Sequence, residues 1–285
     1  RFYILLEKIA ARCSDLILSQ NSEDMHTAIR EGICAAAAIK HLGNGIDVTR
    51  FDRSRFSAKH LEHKRRELGL PDGAKVVGFV GRLVAEKGIL EFLQAAQHVH
   101  ERIPAAKFLF IGMIDHEKSD AVQPEIFRDY GLADACIFAG WRQDMPEMYA
   151  LMDVFVLPSH REGFPRAPME ASAMEVPCVV TDIRGCREAV EHDRNGLMVR
   201  LRDVQALVEA MMALLTKPEL ARRLAKEGRR MALERFDERM VFEKVKGEYR
   251  RLLRAKGFTV NDAPSSANVD LQESLAIPPL RQTTA

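Results

Sequence analysis

The chain has 285 residues, 47% of them hydrophobic, which is enough apolar mass to fill the core of one large domain or two smaller ones. Its 42 Lys and Arg nearly cancel its 41 Asp and Glu, so no net field draws nucleic acid or an anionic membrane to the whole surface, and any membrane contact has to be local. The five cysteines lack Cys-x-x-Cys spacing, which favours buried thiols in a reducing, cytoplasmic setting over a disulfide framework or a zinc site.

The chain opens on Arg1, not Met, and passes at once into a helical pattern over 3–13 and an apolar run at 16–18. That start leads us to expect that an upstream portion of a longer protein is missing. No stretch approaches the roughly 20 apolar residues needed to span a bilayer. The sequence Gly43-Asn44-Gly45-Ile46-Asp47 predicts a tight turn, Asn-Gly favouring positive φ. Residues 57–68 read as a capped, Lys/Arg-rich helix stopped by Gly69 and Pro71, with the charge run 60–67 a solvated face.

From residue 75 onward, β-rich runs alternate with amphipathic segments. Residues 76–80, 108–111, 135–139, 154–157 and 178–181 are apolar throughout, as parallel strands covered on both faces should be. Their spacing requires crossover helices, read at 88–102, at 145–152 after an Asp144 N-cap, and at 167–175. The pattern predicts an α/β fold with a doubly wound parallel sheet, whose ligands gather at the C-terminal ends of the strands. Residues 204–215, 218–236 and 238–256 read as helices, and 259–285 as a polar, disordered tail.

Two segments carry the chemistry. In Gly78-Phe-Val-Gly81-Arg82-Leu-Val-Ala-Glu-Lys87-Gly88 glycines at a strand end precede two cations and a helix start. Backbone amides, a helix dipole and full positive charges together outline a diphosphate cradle; a strand-to-helix turn with solvent-facing charges is the alternative. In Pro158-Ser-His-Arg-Glu162-Gly163-Phe164-Pro165-Arg-Ala-Pro168-Met-Glu170, one continuous helix would set the two carboxylates about 12 Å apart. Gly163 and Pro165 break that start, so Glu162 is expected in a loop and Glu170 near the helix N-terminus. Both can then face one extended ligand and accept hydrogen bonds from diols on a sugar and a ribose. The segment Thr181-Asp182-Ile-Arg184-Gly185-Cys186-Arg187-Glu188 follows the last predicted strand and reads as a ligand-side or an ordinary loop. No H-E-x-x-H, G-x-S-x-G or G-x-G-x-x-G pattern occurs, so we expect no metal, no nucleophile elbow and no nicotinamide site.

In order, Asn44-Gly45-Ile46-Asp47, Gly81-Arg82 with Lys87-Gly88, Glu162-Gly163-Phe164 with Glu170, and Thr181-Asp182 with Gly185 and Glu188 resemble the retaining glycosyltransferases of family four, of two-lobed GT-B fold. The run Gly140-Trp141-Arg142-Gln143-Asp144-Met145-Pro146, with Gly163-Phe164-Pro165-Arg166 and Asp182-Ile-Arg-Gly-Cys-Arg-Glu188, is most similar to capsule and exopolysaccharide members, which usually extend a sugar on a polyprenyl diphosphate at the inner face of the cytoplasmic membrane. The resemblance implies that Arg82 and Lys87 bind the donor diphosphate, Glu162 the transferred sugar and Glu170 the ribose. It further implies that Gly81 and the backbone of Gly163, Phe164 and Pro165 line the sugar and phosphates, with the base near Trp141 and Arg142. The partners are then a nucleotide sugar, of UDP type, and a lipid-linked or saccharide acceptor, with no nucleic acid, no metal cofactor, and a peripheral inner-membrane contact near 59–66. Residues 1–45 would be the end of the acceptor lobe with its linker, 46–236 the nucleotide-sugar lobe, 237–257 a helix crossing back, and 258–285 the tail. A lobe that binds nucleotide sugar without turnover, and a same-fold epimerase or phosphorylase, are the competing readings.

Overall fold

The structure, a computed structural model, describes residues 2–115 and 117–260. It falls into a first compact unit, Arg1–Lys246, and a second that begins at Gly247. From residue 261 onward the expected disordered tail lies outside the described residues.

Helix α1 (Phe2–Arg12) leads to strand β1 (Ile17–Ser19), helix α2 (Ser22–Arg30) and strand β2 (Ile39–His41), and β1 and β2 pair in parallel. Helix α2 and strand β2 were not expected. The nine residues of α2 are mostly polar and bury none of their number, so no apolar stripe announces them. The helix is fixed instead by its cap, the Asn21 side chain accepting from the Asp24 amide. At 43–47 positive φ falls on Gly43, not on Asn44 or Gly45, which corrects the reading of that turn. Gly45 is required for close approach, since a Cβ there would lie 2.5 Å from the Glu238 Cα. Helix α3 (Ala58–Glu67) is capped by Ser57.

Then follow β3 (Lys75–Val80), α4 (Ile89–Arg102), β4 (Ala106–Ile111), α5 (Ile126–Asp129), β5 (Cys136–Gly140), α6 (Met145–Ala150) and β6 (Val154–Leu157). The chain continues through α7 (Arg166–Ala173), β7 (Cys178–Thr181), α8 (Arg184–Ala189), β8 (Gly196–Val199), α9 (Val204–Thr216), α10 (Pro218–Arg235) and α11 (Glu238–Ala255). The six strands from β3 form one sheet in the order β5-β4-β3-β6-β7-β8, every pairing parallel. The α/β class expected from the apolar runs is therefore observed. Segment 181–188, read as a loop after the last strand, instead contains α8 and is followed by the further strand β8, which unlike β6 and β7 is half-buried at two of its four positions and was not expected.

The chain builds β4 and β5 to one side of β3, then returns to place β6, β7 and β8 on the other. Right-handed crossovers then put α4 and α7 on opposite faces, where α4 packs on α9 and α7 on α10. Strand order reverses between β3 and β6, which opens a crevice beyond their C-terminal ends. Beneath it the core is aromatic: Phe79, Phe92, Phe108 and Phe110 are fully buried, and Phe92 and Phe127 each lie 4.9 Å, centroid to centroid, from Phe110. Gly78 lies inside β3, not at the cradle, and makes room for the Met152 side chain, which an added Cβ would meet at 2.1 Å.

Candidate functional site at the sheet switch point

Glycines end the three strands on one side of the switch. The Gly81 amide donates to the Ile111 carbonyl and the Gly112 amide to that of Gly140, each at 2.9 Å. A Cβ on Gly112 would stand 1.9 Å from the Gly81 carbonyl oxygen, so the chain after β4 approaches the end of β3 this closely only because Gly112 carries no side chain. The chain then turns through residues 85–87, a single 3-10 turn, to Gly88, whose left-handed φ of 73° begins α4. Gly88 also has no room: a Cβ would lie 2.0 Å from the carbonyl oxygen of Pro158. This contact presses the loop after β3 onto the loop after β6, and the His160 amide adds a 2.9 Å bond to the Glu86 carbonyl.

The two loops thereby bring Lys87 and Glu162 together. Lys87 Nζ donates to Glu162 Oε1 at 2.6 Å, and the buried Ser159 hydroxyl donates to the same oxygen at 2.8 Å. The Glu162 side chain is 10% exposed and that of Lys87 20%, so the pair is shielded yet reachable. His160 meets Glu91 of α4 at 2.8 Å, a second tie between the loops. Thr181, at the end of β7, donates its hydroxyl to the Ser159 carbonyl. Gly185 lets α8 press on the same loop, since its Cβ would fall 2.4 Å from the Glu162 carbonyl oxygen.

Gly163 is different. It is not among the positive-φ residues and an added Cβ would meet nothing within 4 Å, so neither conformation nor packing calls for glycine. It borders a cavity of about 410 Å³ lined also by Asp24, His160, Arg161, Glu162 and Arg184. Its carbonyl accepts from Asn21 Nδ2 at 3.0 Å, and that of Phe164 from Asn44 Nδ2 at 3.1 Å, so both carbonyls turn toward the N-terminal segment. Pro165 is extended and begins α7, which has no side-chain cap; the first amides of that helix are free to meet an anion.

Glu170 is the fifth of the eight residues of α7, in its second turn and not at its N-terminus as expected, and it stands apart from Glu162 in its partners. Its Oε2 accepts from the Tyr149 hydroxyl at 3.0 Å, and burial raises its pKa above the usual carboxylate value. Arg82 is half-exposed and tied to Asp115 at 2.8 Å, so the structure does not bring it to the Lys87–Glu162 pair. Trp141 is 63% exposed. Arg142 is bound to Asp144 and Glu67, and Asp144 also receives Lys64 at 2.9 Å. Asp144 thus precedes α6 without capping it through its side chain, contrary to expectation, because its oxygens are occupied by two cations. For the same reason the charge run 60–67 is not wholly solvated.

Among residues that sequence reasoning did not assign, Ser159, Thr181 and Asn21 are buried and touch this loop directly. Ser159 lay inside the quoted motif, three residues before Glu162, and that spacing was the available signal. Among the described residues no cluster of three or more His, Cys, Asp or Glu is arranged to hold a metal ion, and no helix is long and apolar enough to cross a membrane.

Residues 61–231 match the family described as Glycosyl transferases group 1. The chain belongs to that family. This group 1 glycosyl transferase chain is 29% identical over 249 residues to the UDP-Gal:alpha-D-GlcNAc-diphosphoundecaprenol alpha-1,3-galactosyltransferase of Escherichia coli, covering 87% of the chain and 63% of that protein. It is 29% identical over 254 residues to the capsular polysaccharide biosynthesis glycosyltransferase CapM of Staphylococcus aureus, covering 88% and 65% respectively. The chain thus spans under two thirds of the length of these relatives. Among solved structures, Anabaena HepE in complex with UDP and glucose superposes with a TM-score of 0.79 at 23% identity, over 87% of this chain and 66% of that one. The sucrose-phosphate synthase of Thermosynechococcus elongatus gives 0.75 at 24% identity, over 88% and 62%. These likenesses bear out the GT-B type of fold implied by the motifs, and CapM the likeness to capsule enzymes.

Proposed function

We propose that this chain carries the donor half of a retaining glycosyltransferase that moves a sugar from a nucleotide sugar, of UDP type, to a lipid-linked or saccharide acceptor in surface-polysaccharide synthesis. The observation that carries the reading is the Lys87–Glu162 pair at the sheet switch point, beside the uncapped start of α7 and a glycine with open space around it. Departure of a nucleoside diphosphate concentrates negative charge on its phosphates. A lysine and helix-end amides fixed in advance stabilise that charge without reorganising. In this reading Lys87 meets the diphosphate, joined by Arg82 once it leaves Asp115. Glu162 accepts from hydroxyls of the transferred sugar, and Gly81, Gly163, Phe164 and Pro165 line the phosphates and sugar. Glu170 accepts from the ribose, while Trp141 and Arg142 flank the base.

The UDP-sugar in the name of the Escherichia coli relative and the UDP bound to HepE favour a uridine nucleotide, and the diphosphoundecaprenol in the same relative's name favours a lipid-linked acceptor. We assign residues 1–45 to the end of an acceptor lobe, 46–236 to the donor lobe and 237–257 to a helix returning to the first lobe. The enzyme would work in the cytoplasm, with α3 touching the inner membrane through its exposed Lys59 and Arg66. Retained binding without turnover is the second reading.

Calorimetric titration with UDP, GDP and NAD tests the proposal. We expect saturable binding of UDP, abolished or strongly weakened in Lys87→Ala, and a loss on the order of 100-fold in transfer rate wherever turnover is measurable. Binding of NAD in place of UDP, or unchanged UDP affinity in Lys87→Ala, refutes it. UDP release on adding acceptor separates turnover from binding alone.

A further inference from the structure

Tyr149 is fully buried in α6, its ring edge-on to Phe51 at 6.0 Å and to Phe155 at 5.9 Å. Phenylalanine would fill this aromatic site without carrying a hydroxyl out of water, and a buried phenol needs a partner. Among the described residues that partner is Glu170: the hydroxyl donates to Oε2 at 3.0 Å. Among the described residues no hydrogen bond reaches the other oxygen, Oε1. Arg166, one turn back on α7 and half-exposed, stays 3.8 Å from it. Nor is Oε1 sealed, for among the described residues the buried polar side-chain atom lacking a partner is His100 Nδ1. One oxygen of the carboxylate is therefore anchored by Tyr149, and the other, on a side chain that keeps 15% of its surface accessible, is left without a hydrogen-bond donor among the described residues.

We infer that Tyr149 is a positioning residue, holding the Glu170 carboxylate so that its open oxygen accepts from the ribose hydroxyls of the nucleotide; this rests on the ribose role proposed above for Glu170. Tyr149 touches no ligand. It removes the rotational freedom that Glu170 would otherwise lose on binding.

The test compares UDP with 2′,3′-dideoxyuridine diphosphate, which lacks the hydroxyls, by calorimetry on the whole chain and on Tyr149→Phe. The wild-type chain should bind UDP more tightly than the dideoxy analogue. Tyr149→Phe should lose roughly tenfold in UDP affinity, the size expected for a hydrogen bond to a charged group, and nothing for the analogue. Equal losses for both ligands, or no loss, overturn the inference while leaving the ribose role of Glu170 standing. A wild-type chain that does not distinguish the ligands removes the ribose role, and the inference with it. Should Tyr149→Phe not fold, the wild-type chain labelled with 3-fluorotyrosine gives a second reading, its four tyrosines assigned by single Phe replacements at Tyr3, Tyr130 and Tyr249. The remaining fluorine resonance should shift with UDP and not with the analogue; a resonance unmoved by UDP counts against Tyr149.

Discussion

Glu170 sets binding against stability at a single side chain. Burial raises its pKa, against the lowering effects of the Tyr149 hydrogen bond and of Arg166 and Arg50. A carboxyl whose folded pKa is raised holds its proton more tightly in the folded chain, so the ionised form costs stability. That cost is fully present above the folded pKa and disappears as pH falls through it. We expect Glu170→Gln, which keeps an acceptor for Tyr149, to raise the melting temperature at pH 7 by a few degrees, at about 2–4 °C per kcal/mol for a chain of this size, and to lower UDP affinity. The gain should shrink as the pH becomes acid; a variant that melts lower than wild type at pH 7 would contradict the sign. The thiols sort by the same physics. Burial pushes Cys178 and Cys186 up to about 12, whereas Cys13 is exposed. That exposure corrects the uniform expectation of buried thiols. A thiol reagent at neutral pH should modify Cys13 in the native chain and reach Cys178 and Cys186 only on unfolding, which mass analysis of the labelled peptides will read.

At the scale of elements, the site depends on how closely two loops approach. Gly88 combines a left-handed backbone with a carbonyl that leaves no room for Cβ, so Gly88→Ala should separate the loop after β3 from that after β6 and pull Lys87 from Glu162. We expect a loss of about 1–3 kcal/mol in stability and a larger proportional loss in nucleotide affinity, measured by urea denaturation and calorimetry on the same variant. The join of α3 to the start of α6 is electrostatic. Arg142, with Lys64, holds the Asp144 carboxyl well below the usual carboxylate range. A depressed pKa contributes stability that is present above the unfolded value, near 4, and is lost as pH falls below it. Asp144→Asn should therefore destabilise at pH 7, by about 1–2 kcal/mol because the ion pairs are partly open to water, with the deficit shrinking as pH falls below the unfolded value and vanishing only once pH passes through the depressed folded value.

For the molecule as a whole, much could be read before any fold was known. Continuous apolar runs such as Val154–Leu157 and Cys178–Thr181 can serve only as strands buried on both faces, and the lengths between them leave room only for crossover helices; the parallel α/β class follows from burial and chain length alone. The position of Glu162 in the loop before α7 was legible for a similarly local reason, since Gly163, Pro165 and Pro168 restrict φ and ψ wherever they occur. What no local rule contains is partnership. That Lys87 finds Glu162, 75 residues away, follows from β3 and β6 lying side by side. That Arg82 is engaged by Asp115 depends on loops meeting at the end of β4. Tyr149 reads as an ordinary core aromatic from its sequence neighbours, and only the packing of α6 on α7 turns its hydroxyl to Glu170. The sequence by itself determined which segments had to be buried and where the backbone had to bend, because apolar burial and steric limits act on neighbouring residues. The tertiary structure alone decided which charges meet, because an ion pair depends on distance in space, and strand order brings together residues that the chain keeps far apart.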